Sequence, residues 1–117
     1  MKNKSILLLL FSALFLTSCR EQEKPKVTFI ELGSVKCIPC QKMQEVIKKV
    51  ENKYPKQVKT IFYDVWTDEG EPYGDTYKID LIPTQVFLDK EGKEYFRHEG
   101  FFEFEKLDSI LRLKGVE

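Results

Sequence analysis

The sequence predicts an α/β domain with a central mixed four-stranded sheet flanked by helices. Three observations support this fold class: a strand–helix–strand unit begins at residue 27, a β-hairpin follows it, and an apolar helix comes last. The 117 residues suffice for one small domain, and 42% hydrophobic with 32% charged residues is typical of a globular chain. Because 19 basic and 19 acidic residues balance, the composition does not indicate a nucleic-acid-binding protein.

The amino terminus predicts a signal peptide over residues 1–18. Lys2 and Lys4 precede an apolar run, residues 6–16, and small polar residues follow before Cys19. Eleven residues in a helix extend about 16 Å, whereas a membrane's hydrocarbon core is about 30 Å thick, so a spanning helix is not expected. The sequence LTSC, residues 16–19, resembles the bacterial lipobox, which implies cleavage before Cys19 and lipidation of its sulfur.

Lipidation would make this an extracytoplasmic protein that works at a membrane surface, either on the bacterial cell surface or in the periplasm. Residues 19–26 are then the lipidated cysteine and a polar, flexible tether, and residues 27–117 are the folded domain. Lipid on Cys19 also explains the odd number of cysteines, because it leaves one pair of thiols.

The first half of the domain predicts a strand–helix–strand unit. Residues 27–32 are β-branched and aromatic and predict a strand, which a turn at Gly33 and Ser34 ends. Residues 38–53 carry apolar side chains every three or four positions and predict an amphipathic helix. Residues 58–65 predict the second strand, and a connection of this length requires the two strands to be parallel.

The second half predicts a hairpin between two helices. A short helix is expected at residues 72–78, inside a polar stretch rich in Gly and Pro. Residues 84–88 and 93–100 predict two strands, joined by a turn whose Gly92 suits a positive φ. Residues 104–113 predict a final helix that packs on the sheet.

Cys37 and Cys40 form a Cys-x-x-Cys motif where the first helix begins. With other residues, this motif resembles the thioredoxin family over residues 27–114, and the resemblance implies a thioredoxin-like fold and a thiol:disulfide oxidoreductase that needs no organic cofactor. The matching residues are CIPC at 37–40, Tyr77, Ile79, Ile82-Pro83-Thr84, Gly92 and Gly100. The additional amino-terminal strand and helix of many thioredoxins have no counterpart in the predicted domain.

In such an enzyme Cys37 is the attacking nucleophile and Cys40 the more buried, resolving thiol. A helix amino terminus favours the Cys37 thiolate, and Lys36 adds a positive charge beside it. Lys36 stands where the family usually has an aromatic residue, so partner choice is expected to differ from that of a general thioredoxin. Ile38 and Pro39 form the loop between the cysteines, and Pro39 stiffens the first helical turn.

The resemblance assigns roles to residues outside the motif. It implies a cis bond between Ile82 and Pro83 that places the preceding backbone beside the dithiol, where an extended substrate can pair with it; the alternative is an ordinary trans turn. Glu31 stands where thioredoxins carry a buried aspartate that accepts the proton of the resolving cysteine. Burial would raise the pKa of Glu31 toward neutrality; the alternative is a carboxylate at a solvated rim. Trp66 is expected to pack, and His98 to be a surface or packing residue.

Other readings of the cysteine pair are weaker. A structural zinc site needs four ligands, and only Cys19 and His98 could complete one, so no metal is expected. A staple that closes so short a loop would stabilise the fold weakly. A binding module that presents the Pro83 loop, with incidental redox turnover, is the alternative from another functional class.

The sequence therefore predicts a membrane-tethered protein-disulfide reductase, with oxidase or isomerase activity as the open alternative. Its expected partners are protein disulfide or dithiol substrates and a transmembrane electron-delivery protein that would recharge it. We expect a monomer, with membrane contact through the lipid anchor and no nucleic-acid partner. The physiological substrate cannot be read from these residues.

Overall fold

The computed structural model describes residues 22–117, and seven helices and strands follow one another there. They are β1 (Val27–Gly33), α1 (Ile38–Lys53), β2 (Val58–Asp64), α2 (Glu71–Thr76), β3 (Thr84–Leu88), β4 (Glu94–Glu99) and α3 (Phe104–Arg112). The predicted elements are confirmed, and their ends differ from the prediction by no more than two residues.

The strands form one sheet in the order β2-β1-β3-β4. β1 pairs with β2 in parallel, as the intervening α1 requires, and β3 is antiparallel to both β1 and β4. The β3–β4 turn contains Gly92 at φ 80°, a conformation that glycine adopts without steric cost. This is the predicted mixed four-stranded sheet.

The larger apolar core lies between the sheet and the helices α1 and α3. Its members share one face of the sheet or the inner stripe of a helix, and include Phe29, Phe87, Met43, Val46, Ile47, Val50, Leu107 and Leu111. The α1 residues recur every three or four positions, which is why this helix buries one side only. Burying each such side chain contributes about 1.5–3 kcal/mol of transfer free energy, so this layer holds α1 firmly against β1.

The opposite face of the sheet carries a smaller core around Ile30, Leu32 and Val86. The helix α2 lies on this side, because the Tyr73 ring stacks on Tyr63 of β2 with 3.7 Å between ring centroids. α2 buries none of its residues and ends earlier than predicted. Lys78 has φ 52°, which a right-handed helix cannot accommodate.

The predicted signal peptide and Cys19 lie outside the described residues. Residues 22–25 of the predicted tether form neither helix nor strand, and contact with the domain begins at Lys26, whose backbone N–H donates to the Gln57 carbonyl at 2.7 Å. Within residues 22–117, no helix is long and apolar enough to cross a membrane.

Candidate active site

Cys37 and Cys40 lie at the corner where the chain leaves β1 and enters α1. Cys37 is the N-cap of α1, with extended backbone, and its carbonyl accepts the N–H of Gln41 at 3.0 Å. Pro39 lies in the first helical turn, which carries no acidic side chain. No carboxylate in the first turn therefore offsets the positive end of the helix dipole at Cys37.

The two cysteines are joined by a disulfide, with their Cα atoms 5.1 Å apart. Both cysteines are buried, but Cys37 is 8% exposed and Cys40 only 1%, so Cys37 lies nearer the surface. Ile38, between them, is largely exposed. A nucleophile needs access and a resolving thiol does not, so this arrangement can support attack by Cys37 followed by closure from Cys40.

Gly33 makes room for the Cys40 sulfur. A Cβ atom built on Gly33 would stand 3.1 Å from Cys40 Sγ and 3.2 Å from Cys40 Cβ. Gly33 was predicted as a turn residue, but it is the last residue of β1, and its role follows from close packing of strand against helix. Only the position of a glycine shortly before the motif could have suggested this.

Asp64, at the end of β2, fixes the loop that leads to the motif. Its carboxylate accepts the backbone N–H of Val35 at 3.2 Å and that of Trp66 at 3.1 Å. Burial raises the pKa of Asp64, but these hydrogen bonds, with smaller effects of Ser34 and Lys36, outweigh it, and the net pKa is lower than usual for aspartate. The sequence did not identify Asp64 as a site residue.

Lys36 is exposed beside the motif, and its backbone N–H donates to the Ser34 hydroxyl at 3.2 Å. Its charge contributes to the lowered pKa of Asp64. The charge of Lys36, which was expected to act on Cys37, therefore also acts on the Asp64 carboxylate.

The loop before β3 reaches the same end of the sheet. The Ile82–Pro83 bond is cis, Pro83 is buried, and Ile82 is partly exposed. Because Thr84 pairs with Leu32, the antiparallel register brings Pro83 level with Gly33, the residue that contacts Cys40. β1, α1 and the loop before β3 thus meet around the disulfide.

Glu31 is fully buried on β1, on the side of the sheet that α1 covers. Phe29 of the larger core, Glu31 and Gly33 are two residues apart in turn and share one face of β1, so the Glu31 side chain lies next to the Gly33–Cys40 contact along the strand. Burial raises the pKa of Glu31 more than the hydrogen bond from Gln85 lowers it, and the net pKa is about 8. Glu31 is therefore no carboxylate at a solvated rim, and it is equipped to exchange a proton near neutral pH.

Two polar neighbours of Glu31 were not predicted as site residues. Gln85 Nε2 donates to Glu31 Oε1 at 3.3 Å, and Gln85 Oε1 lies 2.8 Å from His98 Nδ1. His98 is partly buried and stacks on Phe102, with 4.1 Å between ring centroids, so it does pack as expected. The available signal was the single amide in the strand TQVFL, which ends in three apolar residues.

Four exposed apolar side chains lie in the motif or in the loops that follow β1 and β2 and precede β3. They are Val35, Ile38, Trp66 and Leu81. The prediction that Trp66 packs is wrong, because it is 59% exposed. It follows the end of β2, where the chain leaves the sheet, and more than half of its surface stays uncovered.

Among residues 22–117, no group of three or more His, Cys, Asp or Glu side chains is arranged to hold a metal ion. The described residues thus offer the Cys37–Cys40 pair no partners for a four-ligand site.

The domain is similar to known proteins. Residues 15–114 match the family described as thioredoxin-like domain. A protein of Arabidopsis thaliana, named as a candidate thioredoxin H10, is 28% identical over 69 residues, which are 59% of this chain and 42% of the plant protein. The chain thus spans less than half the length of that curated relative.

Solved thioredoxin structures superpose on the domain. The germline-specific thioredoxin Deadhead of Drosophila melanogaster is 26% identical, with a TM-score of 0.66 over 78% of this chain and 82% of the fly protein. A thioredoxin variant from Halobacterium salinarum is 18% identical, with a TM-score of 0.69 over 80% of this chain and 78% of the archaeal protein. At that identity the archaeal likeness shows the fold alone.

Proposed function

The chain belongs to the thioredoxin-like domain family and carries a disulfide-forming cysteine pair, and on that premise we propose that it reduces disulfides in substrate proteins. The observation that carries the proposal is the Cys37–Cys40 disulfide at the first turn of α1, in which Cys37 lies nearer the surface than Cys40. The structure then represents the oxidised protein, the state in which a reductase ends its cycle.

The first step is attack by the Cys37 thiolate on one sulfur of a substrate disulfide. A new bond joins Cys37 to that sulfur, the substrate S–S bond breaks, and the second substrate sulfur leaves as a thiolate. The helix amino terminus favours the anionic form of Cys37. The greater exposure of Cys37 supports giving it this role.

The second step is closure by Cys40. Its thiol gives up a proton, its sulfur attacks Cys37, and the remaining substrate sulfur leaves as a thiolate. Two electrons have then passed to the substrate, and the pair has returned to the disulfide. Glu31 is the proposed proton acceptor, because it lies on the same face of β1 as Gly33 and its pKa of about 8 suits transfer near neutral pH.

Substrate is proposed to bind as an extended segment along Ile82, next to the cis Pro83. The backbone of Ile82 leads into β3 at the level of the disulfide, so a substrate strand can pair with it. The exposed apolar side chains near the motif favour a partner that offers apolar residues near its own disulfide, and the charge of Lys36 weakens that apolar contact.

The proposed location is extracytoplasmic, at the bacterial cell surface or in the periplasm, with lipid on Cys19 and a short tether to the domain. The support for it is the signal-like amino terminus and the lipobox-like sequence. A reductase in an oxidising space needs a source of electrons, so a transmembrane electron-delivery protein is the proposed donor. We expect the domain to act as a monomer.

The direction of electron flow is tested by the reduction potential of the Cys37–Cys40 pair. Residues 20–117 contain every described helix and strand and can be equilibrated against dithiothreitol and glutathione buffers. A potential near that of thioredoxin, about −270 mV, would support a reductase. A potential near about −120 mV would make the protein an oxidant of substrate thiols. A pair that stays oxidised and exchanges with no dithiol would favour a binding module.

A further inference from the structure

Three polar side chains form a line across three strands. Glu31 of β1 pairs with Gln85 of β3, and Gln85 pairs with His98 of β4, so all three project from the same face of the sheet. Hydrogen bonds join them, with Gln85 Nε2 donating to Glu31 Oε1 at 3.3 Å and His98 Nδ1 lying 2.8 Å from Gln85 Oε1. The line runs from a fully buried carboxyl to a partly exposed ring.

The hydrogen bonds have a direction. With the Gln85 amide in this orientation its Oε1 accepts, so the contact uses the His98 tautomer that carries a hydrogen on Nδ1. In the same orientation the N–H groups of Gln85 face Glu31. Without the His98 donor, the buried amide oxygen would lose the partner that holds it in place.

We propose that Gln85 and His98 are positioning residues for the general base Glu31, an inference that rests on the proposed function. His98 holds the Gln85 amide, and Gln85 holds Glu31 Oε1, so that Oε2 is the oxygen that takes the proton of Cys40. Neither positioning residue touches the reacting sulfur in this proposal. Each acts through its neighbour in the line.

Glu31 Oε2 fits this role because it is buried and has no hydrogen-bond partner among residues 22–117. A buried polar atom without a hydrogen-bond partner costs stability, and a catalytic role is one reason for a protein to keep it. The titratable groups on this face at the same end of the sheet are Cys40 on α1, Asp64 at the end of β2 and His98 on β4. Asp64 accepts hydrogen bonds from Val35 and Trp66, so Cys40 is the candidate proton donor for Oε2.

A simple packing role for His98 is the competing explanation. The ring stacks on Phe102 with an interplanar angle of 11°, and that contact alone could account for its position. The two explanations separate with a matched pair of variants. His98→Phe keeps an aromatic ring on Phe102 but loses the donor, whereas His98→Asn keeps an N–H near the Nδ1 position and loses the ring.

The decisive measurement is the titration of the Glu31 carboxyl by NMR. The full chain, labelled with 13C at glutamate carboxyls, is held in detergent micelles in its oxidised state, where Cys40 cannot titrate against Glu31. Glu31→Gln identifies the resonance by its disappearance. The variants Gln85→Leu, His98→Phe and His98→Asn are then compared with the wild type.

We expect a wild-type midpoint near pH 8. Gln85→Leu should raise it by about one pH unit, because the ionised carboxylate loses a donor. His98→Phe should raise it by about half as much, since Gln85 remains but is no longer held, and His98→Asn should return it close to the wild-type midpoint. An unchanged midpoint in His98→Phe would leave His98 as packing only, and one unchanged in Gln85→Leu would overturn the whole proposal.

This titration needs no redox turnover, so it is judged separately from the proposed function. If the wild type reduced no protein disulfide, the proposed function would fail. The measured midpoints would still show whether Gln85 and His98 act on the Glu31 carboxyl. If the wild type is active and His98→Phe moves neither the midpoint nor the pH profile of turnover, only the positioning proposal fails.

Discussion

Gly33 and Cys40 approach each other so closely that a methyl group on Gly33 would stand 3.1 Å from the Cys40 sulfur. The contact joins the last residue of β1 to the first turn of α1, and it lies level with the Pro83 loop. Few Cβ atoms in proteins have so near a neighbour, so a side chain here must displace the sulfur or the helix. The absence of a side chain at position 33 thus helps to set the position of the redox pair.

Gly33→Ala is expected to destabilise the oxidised protein by about 1–3 kcal/mol, the usual cost of overpacking a core. The reduced protein should lose less, because the free Cys40 side chain can rotate away from the new methyl group. The disulfide of the variant should therefore be easier to reduce than that of the wild type. Urea unfolding of both redox forms, with the reduction potential, measures this.

Gly74→Ala is the matched control. A Cβ on Gly74 would meet Ile79 and Val65 at 3.7 Å, an ordinary contact, and Gly74 lies inside α2, where alanine is favoured by up to about 1 kcal/mol. This variant should be as stable as the wild type or more so. Equal unfolding midpoints for Gly33→Ala and the wild type would show that the helix yields to the methyl group at no cost.

Glu31 is expected to make folding stability fall as the pH rises. Burial raises its pKa from the ordinary 4.5 to about 8, so between these values the folded state keeps a proton that the unfolded state has released. The stabilisation is fully present below pH 4.5 and is lost as the pH rises through 8, by on the order of 4 kcal/mol across the window. Urea unfolding of the oxidised protein between pH 5 and pH 9 measures the slope.

Glu31→Gln should flatten that slope, because the amide does not titrate. Glu45→Gln is the control, since Glu45 is an exposed carboxylate on α1 and its loss should leave the slope as in the wild type. If wild type and Glu31→Gln lose stability equally between pH 5 and pH 9, the pKa of Glu31 is not raised in the folded protein, and its carboxylate would be too weak a base to take the Cys40 proton near neutral pH.

The secondary structure was predictable because its signals are local. The spacing of Met43, Val46, Ile47 and Val50 defines α1 without reference to any other element, and Cys37 and Cys40 are three residues apart at its start. The family resemblance then placed Glu31 and Pro83. Apart from the family resemblance, each of these signals concerns residues within one element or one motif.

The remaining site residues depend on contacts between distant segments. Glu31 and Gln85 are 54 residues apart and meet because β1 and β3 pair in one particular register. The sequence pattern of neither strand determines that register, so Gln85 could not be predicted as the hydrogen-bond partner of Glu31. Trp66 was misjudged for a related reason, because an aromatic residue just beyond a strand is buried only if another element covers it.

Cys19→Ala tests the proposed membrane anchor. Without the cysteine there is no sulfur to lipidate, so the chain should accumulate as an uncleaved or mislocalised precursor. Incorporation of labelled palmitate and fractionation of bacterial cells that express the protein measure the effect. Cys37→Ala, which removes a different cysteine, should remain lipidated and membrane-bound, and unchanged membrane attachment of Cys19→Ala would refute lipidation at this residue.

The two redox cysteines should give opposite results when each is replaced by serine. Cys40→Ser keeps Cys37, the less buried of the two, but lacks the thiol that closes the cycle, so a mixed disulfide with the substrate should persist. Cys37→Ser keeps only the enclosed thiol and should form little or none. Non-reducing gels of cells that express each variant, with the double variant as a blank, would show the trapped species as bands that disappear on reduction. Equal trapping by both single variants would mean that the difference in burial does not decide which sulfur attacks, and the roles assigned to Cys37 and Cys40 would have to be withdrawn.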